Sequence, residues 1–177
     1  PNRVAPLTIP MSISNIASGA IAIKFGLLGS SFSITSACAS STHCIGEAYR
    51  NIKDGYSDII FAGGSEASIC EFGISSFQSL TALSKSEDRN RASIPFDLNR
   101  NGFVMGEGAG VLILEELESA LKRGAKIYCE IVGYGTTSDA YHITSPCPDG
   151  NGAYRCMRDA MADASVNCTE ISYINAH

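Results

Sequence analysis

Short apolar runs alternate along this chain with segments whose apolar residues recur at helical spacing, and this alternation constrains the fold most. The stretch that ends at Gly55 has apolar residues on one face and charged residues on the other, which indicates an amphipathic helix. Residues 58–64 then form a short apolar run bounded by turn residues, which predicts a strand buried on both faces. Such alternation favours an α/β fold with a largely parallel sheet covered by helices.

The same reading predicts the remaining elements. Further helices are expected at residues 12–25 before Gly26, at 71–83, at 115–123 before Gly124, and at 151–164. Further strands are expected at residues 31–35, 101–114, 127–136 and 171–176, with a polar loop over 84–93. The connector near Gly124 separates two blocks, and we expect a boundary between segments 1–125 and 126–177 at that point.

Composition excludes several partners. The chain has 13 basic and 18 acidic residues, a net charge of −5, and no Lys/Arg cluster that could neutralise a row of phosphates. We therefore expect no nucleic-acid partner. The longest apolar stretches fall well short of the roughly 20 residues that a membrane span needs, and the N-terminus lacks a signal-peptide pattern. The expectation is a soluble, cytoplasmic protein that does not enter a membrane.

Seven cysteines raise the question of which one carries chemistry. They have neither paired metal-ligand spacing nor the spacing of a disulfide framework, so we expect free thiols that are mostly buried, with one or two reactive; they are Cys38, Cys44, Cys70, Cys129, Cys147, Cys156 and Cys168. Cys38 differs from the others because a β-prone segment turns there into a helix. Unpaired N–H groups and the helix dipole favour a thiolate at such a position, and small neighbours leave room for a bulky thioester. A buried cysteine packed among small residues is the alternative.

Several motifs together resemble the β-ketoacyl-acyl carrier protein synthases, most closely the bacterial type II elongating enzymes. The similar blocks are SITSACASS at 33–41, FAGGSEA at 61–67, PFD at 95–97, RNGFVMGEGAG at 100–110, SDAYHITSP at 138–146 and YINAH at 173–177. They follow one another in the family's order and span the whole chain.

The resemblance implies a thiolase-like α/β fold, in which two similar halves with mixed five-stranded sheets form αβαβα layers. This chain would be an internal piece of a longer protein, with residues 1–125 from one half and 126–177 from the start of the other. The implied reaction begins with a fatty acyl chain moving from acyl carrier protein to Cys38. Malonyl-acyl carrier protein then loses carbon dioxide, and the enolate extends the chain by two carbons. No cofactor or metal is implied.

The resemblance also assigns roles to individual residues. His177 would stabilise the developing negative charge, together with a second histidine and a lysine beyond this C-terminus. Thr144 would line the malonyl and pantetheine side, while Gly73 and Phe77 would line the acyl pocket. Ile9, within 6–11, would close the acyl pocket of the other subunit in a homodimer.

Other polar residues near these motifs have less specific interpretations. His43 lies five residues after Cys38 and would point away from the thiol, so we interpret it as a packing residue. His142 is expected to be a hydrogen-bonded structural residue, and Asp97, Glu107 and Asp139 are expected to be structural polar groups.

Three other functions remain open at this point. A polyketide synthase ketosynthase shares the fold, the cysteine and the reaction. A noncatalytic subunit of the chain-length-factor kind shares the fold only, and the retention of Cys38 argues against it. A degradative thiolase ranks last because thiolases place different residues around their cysteine.

Overall fold

A computed structural model describes residues 3–177. The first two residues of the predicted segment 1–125 lie outside this range. The helices are α1 (Thr8–Ser12), α2 (Ile16–Phe25), α3 (Ser40–Lys53), α4 (Glu71–Ser79), α5 (Leu117–Lys122) and α6 (Asn151–Ala164). The strands are β1 (Ile59–Glu66) and β2 (Gly108–Glu115), and short 3-10 turns cover Ala37–Ala39, Arg89–Arg91 and Cys168–Glu170.

The chain divides into two compact units. One unit contains the residues up to Ala62 together with Ile113–His177, and the other contains Gly63–Leu112. The predicted boundary between 125 and 126 separates the two halves of the implied fold rather than these compact units, and it stays a prediction.

The predicted helices are present, although the one expected over 71–83 ends at Ser79, and α2 and α5 end before a glycine. The residue after α2, Gly26, has φ 66°, and Gly124, which follows the end of α5, has φ 68°. Both values lie in the left-handed region that glycine adopts without a Cβ penalty. The helix predicted over 12–25 begins only at Ile16, because the chain is extended at Ile13 with ψ 141°, and the short helix α1 before it was not predicted.

The sheet differs from the expectation. β1 and β2 pair antiparallel, and the Glu116 N–H donates to the Asp58 carbonyl at 2.9 Å just beyond the pair. The prediction of a largely parallel sheet is therefore wrong for the described strands. The expected burial of 58–64 on both faces is also wrong, because only Ala62 is buried in β1. Within residues 3–177 no full layer of side chains covers this strand.

Three further segments that were predicted as strands are not part of a sheet in the described structure. They are residues 31–35, 127–136 and 171–176. In segment 127–136, two backbone groups bond to side chains. The Tyr134 N–H donates to the Asp163 carboxylate at 3.0 Å, and the Val132 carbonyl accepts from the Tyr49 hydroxyl at 3.0 Å.

The first unit packs around Tyr134, which lies between α3 and α6. Tyr134 is buried, and its ring lies against Gly46 of α3. A side chain at Gly46 would collide with that ring, so the close approach requires glycine at this position. On the other side of the segment, Gly133 and Gly135 lie against the backbone of α6.

Among the described residues, no helix combines the length and the apolar character that crossing a membrane requires.

Candidate active site

The turn that carries Cys38 is strained. Cys38 is exposed and lies in the 3-10 turn Ala37–Ala39, directly before α3 begins at Ser40. Ala37 has φ 51°, a left-handed conformation that costs an L-residue roughly 1–2 kcal/mol. Such strain persists only where the surrounding contacts hold the backbone in place. The predicted sharp turn before a helix is therefore confirmed.

Hydrogen bonds to Ser36 and Ser40 hold this turn. The Ser36 N–H donates to Ser40 Oγ at 2.8 Å, and the Ser40 hydroxyl donates to the Ala37 carbonyl at 2.7 Å. The Ala39 N–H donates to the Ser36 carbonyl at 3.1 Å. The backbone on both sides of the strained residue is thus tied to the start of α3. The thiol of Cys38 lies just outside the helix N-terminus, where the dipole favours negative charge.

His43 does more than pack in the structure. Its ring is half-buried, with Nδ1 2.6 Å from Ser36 Oγ and Nε2 3.1 Å from Thr136 Oγ1. Tyr134 packs against it edge-on, with the ring centroids 6.3 Å apart. The interpretation of His43 as a packing residue omitted these two polar contacts.

An ion pair between Lys53 and Asp163 joins α3 to α6. Lys53 Nζ lies 2.6 Å from Asp163 Oδ1, and the other oxygen of Asp163 accepts the Tyr134 N–H at 3.0 Å. The hydrogen bond from Lys53, followed by that from the Tyr134 backbone, lowers the pKa of Asp163. The same bond to Asp163 raises the pKa of Lys53. Burial raises the pKa of the Tyr134 hydroxyl.

The loop that carries Thr144 is organised by His142. The backbone N–H groups of Thr144 and Ser145 both donate to His142 Nδ1 at 3.1 Å. Two donors on one nitrogen require Nδ1 to be the acceptor, which leaves the ring hydrogen on Nε2. The expected structural role of His142 is confirmed. Thr144 itself is exposed.

The acidic residues that were expected to be structural have such roles. The carboxylate of Asp139 accepts the Cys147 N–H at 2.9 Å, and that of Glu107 accepts the Ile69 N–H at 2.8 Å. Asp97 accepts the Asn99 N–H at 2.8 Å.

In the second unit, the predicted acyl-pocket residues both lie on α4. Phe77 packs edge-to-face against Phe103, with the ring centroids 5.4 Å apart. Gly73 lies close to the Ser68 carbonyl, and its N–H donates to Cys70 Sγ at 3.4 Å. Cys70 is thus the N-cap of α4, a position that the sequence reading did not recognise.

The remaining predicted residues are exposed. Ile9 lies in α1 with 71% of its surface accessible, and His177 is exposed at the end of an irregular segment. Across residues 3–177, no hydrogen bond joins Cys38 to Thr144 or to His177. The roles of these residues stay predictions.

The cysteines are less buried than expected. All seven are free thiols; Cys38, Cys70, Cys129 and Cys168 are exposed, and Cys44, Cys147 and Cys156 are half-buried. The expectation of mostly buried thiols is wrong for the described chain, because none of the seven is buried.

Solved structures similar to this chain include a ketosynthase complex and a β-ketoacyl synthase. The chain superposes with a TM-score of 0.96 and 38% identity on the AntDE:AntF complex, described as a type II polyketide synthase acyl carrier protein with its ketosynthase bound to the hexaketide. The match covers 100% of this chain and 44% of that one. A β-ketoacyl synthase from Burkholderia phymatum matches with a TM-score of 0.93 and 36% identity, over 98% of this chain and 42% of that one. The fold is therefore the thiolase-like α/β fold of these enzymes.

Family models agree with this class. The model of the β-ketoacyl synthase N-terminal domain matches residues 1–120, and that of the C-terminal domain matches residues 128–177. The chain belongs to the β-ketoacyl synthase family.

Among curated relatives, the chain is similar to proteins named 3-oxoacyl-[acyl-carrier-protein] synthase 2. It is 51% identical to that of Synechocystis, 48% to that of Rhizobium meliloti and 48% to that of Staphylococcus aureus, in each case over 100% of this chain. The matches cover 43%, 42% and 44% of those relatives, respectively, so the chain spans less than half of their length.

Proposed function

We propose that the protein carrying this chain is an acyltransferase that extends fatty acyl chains by decarboxylative Claisen condensation, with Cys38 as the acyl-accepting nucleophile. The observation that carries the proposal is the exposed thiol on a strained turn before α3, within a chain that matches both β-ketoacyl synthase domains. The Cys38 side chain is exposed to solvent at this turn, so the thioester of an incoming substrate can reach the sulfur.

In the first step, the Cys38 thiolate attacks the carbonyl carbon of an acyl thioester on acyl carrier protein. The new S–C bond forms, the carrier thiolate leaves and takes up a proton, and the acyl group stays on Cys38. A backbone N–H at the turn would stabilise the oxyanion of the tetrahedral intermediate.

In the second step, malonyl-acyl carrier protein enters and its C–CO₂ bond breaks. The electron pair forms an enolate, whose carbon attacks the acyl-Cys38 carbonyl and releases the Cys38 thiolate. The product is a β-ketoacyl chain that is two carbons longer. In this proposal His177 donates a hydrogen bond to the thioester oxygen as its negative charge develops.

The substrate contacts are part of the same proposal. Thr144 would contact the malonyl or pantetheine side, and Gly73 and Phe77 would line the acyl pocket. The half-buried position of Phe77 beside Phe103 is compatible with an apolar lining. We assign residues 1–125 to the half that carries the nucleophile and residues 126–177 to the start of the other half.

The proposed partners are acyl carrier protein, bearing acyl and malonyl groups, and a second copy of the protein in a homodimer. A similar ketosynthase of known structure is described in complex with an acyl carrier protein, which supports the first partner. We propose a cytoplasmic location for the protein and for its carrier-bound substrates.

The structural neighbours include the ketosynthase of a type II polyketide synthase, so a polyketide ketosynthase is the second candidate. The curated relatives favour fatty-acid elongation, because their identities of 48–51% exceed the 38% to that polyketide structure. An assay with saturated acyl-acyl carrier proteins of graded length distinguishes the two. Elongation of these simple chains supports the fatty-acid function, and activity restricted to polyketide intermediates supports the other.

The nucleophile is tested by mapping the site of acylation. After incubation of the whole protein with acyl-acyl carrier protein, digestion and mass spectrometry should place the acyl group on Cys38 alone. Cys38→Ala should abolish transfer without loss of the fold, and Cys38→Gln should block acylation while retaining malonyl decarboxylation. Cys44→Ala is the matched control, since Cys44 is a thiol six residues further along, inside α3. Acyl label on another cysteine, or normal elongation by Cys38→Ala, would contradict the proposal.

A further inference from the structure

His43 connects the turn that carries Cys38 to a segment far away in the sequence. Ser36 lies two residues before the thiol, and its hydroxyl meets His43 Nδ1 at 2.6 Å. On the other side of the ring, Nε2 meets the Thr136 hydroxyl at 3.1 Å. The three side chains form a continuous hydrogen-bonded chain, Ser36–His43–Thr136, that spans 100 positions of the sequence within one compact unit.

The location of this hydrogen-bonded chain matters because of the strain beside it. Ser36 precedes Ala37, whose φ of 51° marks the strained backbone directly before Cys38. The backbone N–H and carbonyl of Ser36 are already bonded to Ser40 and Ala39. Its hydroxyl adds a third connection, which reaches past the first turn of α3. All the polar groups of Ser36 thus act on the conformation of the turn.

The far end of the hydrogen-bonded chain is anchored firmly. Thr136 lies two residues after Tyr134. Tyr134 is buried against α3, and its N–H donates to Asp163. The next residue, Thr137, donates its hydroxyl to the Gly152 carbonyl of α6 at 2.9 Å. Segment 134–137 is therefore fixed to two helices, and through His43 it fixes the turn. Hydrogen bonds on both ring nitrogens also hold the ring in one rotamer.

We infer that His43 is a positioning residue for acyl transfer, which holds the Cys38 turn in register with segment 134–137 through Ser36 and Thr136. The inference rests on the proposed function of Cys38 as nucleophile. His43 does not exchange a proton with the thiol in this role. It keeps the sulfur where a thioester presented by a carrier protein can be attacked. A shift of about 1 Å in such a geometry costs a reaction roughly a hundredfold in rate.

Two substitutions of His43 separate positioning from packing. His43→Phe retains a ring of similar size but has no hydrogen-bonding nitrogen. His43→Asn is smaller, yet it places an amide near the position of Nδ1 and can still bond to Ser36. We expect His43→Phe to slow the acylation of Cys38 by acyl-acyl carrier protein at least about tenfold. His43→Asn should keep most of the parent's acylation rate. If His43 only fills space, His43→Phe should instead be acylated faster than His43→Asn.

A second readout distinguishes a misplaced thiol from a damaged fold. Iodoacetamide is small and diffuses freely, so its attack on Cys38 requires little alignment. We expect the alkylation rate of His43→Phe to stay within about threefold of the parent's, because the roughly hundredfold penalty applies to a reaction that depends on alignment. Thermal unfolding of each variant reports the stability of the fold. Parallel losses in acylation and alkylation would overturn the inference.

The other members of the hydrogen-bonded chain supply independent variants, which keep the test valid if a His43 variant does not fold. Ser36→Ala should reduce acylation as His43→Phe does, and the double variant should lose little more, since the two residues act together. Thr136→Val should also slow acylation. Ser18→Ala is the matched control, because it removes a hydroxyl hydrogen bond, to the Asn15 carbonyl at 2.9 Å, from α2 and leaves the Ser36–His43–Thr136 chain and its anchors intact, so its acylation rate should stay near the parent's.

The outcomes also separate this inference from the proposed function. If the parent protein is not acylated at Cys38, the proposed function fails. If the parent is acylated at Cys38 and His43→Phe is acylated at the same rate, the proposed function stands and the positioning role of His43 is wrong.

Discussion

Cys70 caps α4 with its sulfur, a role that the sequence did not indicate. Its Sγ accepts the Gly73 N–H at 3.4 Å, and its backbone is extended, as an N-cap requires. Sulfur is a weak acceptor, whereas serine is among the preferred N-cap residues. The exposed position leaves room for either side chain.

We predict that Cys70→Ser maintains or raises the free energy of unfolding, whereas Cys70→Ala lowers it by about 0.5 kcal/mol, the lower end of the range for a lost cap. Urea denaturation of the protein carrying this chain measures both. Glu71→Gln is a suitable control, since it changes the next residue without removing the cap. An alanine variant as stable as the parent would show that the sulfur bond contributes nothing.

At the scale of single residues, the turn that carries Cys38 could be predicted from the sequence, but the hydrogen bonds that hold this turn could not. Cys38 stood out because small residues and a β-prone segment precede a helix there. The contact of His43 with Thr136 joins residues 93 positions apart, and no local pattern records such a pair. The hydrogen bonds of Ser36 and Ser40 surround the left-handed backbone of Ala37, a conformation that the sequence does not indicate.

At the scale of elements, the packing of α3 on segment 132–137 depends on one glycine. Gly46 is buried, and a Cβ there would overlap the Tyr134 ring. Gly19 in α2 is the natural comparison, since nothing lies within 4 Å of a Cβ placed on it. Both residues lie in helix interiors, so the gain in intrinsic helix propensity from a Gly→Ala substitution is the same at both positions.

We predict that Gly46→Ala lowers the free energy of unfolding by about 1–3 kcal/mol, because the ring of Tyr134 must move. Gly19→Ala should raise it by about 0.5–1 kcal/mol, because glycine loses more backbone entropy than alanine in a helix. Chemical denaturation of the two variants gives the comparison. Equal effects of the same sign would argue against the close approach at Gly46.

The ion pair between Lys53 of α3 and Asp163 of α6 makes the contact between these helices depend on pH. The pKa of Asp163 is below its ordinary value of 3.8, so its stabilising effect is present above that pH and is lost as the pH falls through the folded-state pKa. The pKa of Lys53 is above its ordinary value of 10.5, so its effect is present below that pH and is lost at higher pH. The pair therefore acts throughout the range between these two values.

We expect Asp163→Asn to lower Tm slightly near neutral pH and to weaken the fall of Tm below pH 3.8, the ordinary value for the carboxyl group. The neutral-pH effect should shrink as salt is added, because both side chains are partly exposed. Asp159→Asn is the matched control, since Asp159 pairs only with its neighbour Arg158 on α6. Identical acid profiles for the parent and Asp163→Asn would refute the role of this pair.

The helices were predictable from the sequence and most of the strands were not. α6 has the predicted bounds, because its apolar stripe and the flanking residues are local signals. A strand is defined by a hydrogen-bonded neighbour, which the sequence of one segment does not contain. Residues 127–136 have the composition of a strand, yet in the described structure their backbone bonds to Asp163 and Tyr49.

At the scale of the whole molecule, α1 and the residue before it expose large apolar side chains to solvent in the described structure. Leu7, Ile9 and Met11 expose 64%, 71% and 69% of their surfaces. Neighbouring exposed apolar side chains of this size indicate a surface that meets a partner. Segment 6–11 is also the one that the family resemblance implies for the contact between subunits.

We predict that the protein carrying this chain is a homodimer with an isologous interface that includes Ile9. Ile9→Asp should shift the protein toward the monomer and reduce elongation of long acyl chains, because a charge would lose its hydration at the interface. Val4→Asp is the matched control, since Val4 is 69% exposed but lies outside segment 6–11. Sedimentation velocity measures the assembly state of both variants. A parent that is active and stably monomeric, or an Ile9→Asp variant that dimerises as tightly as the parent, would contradict this prediction.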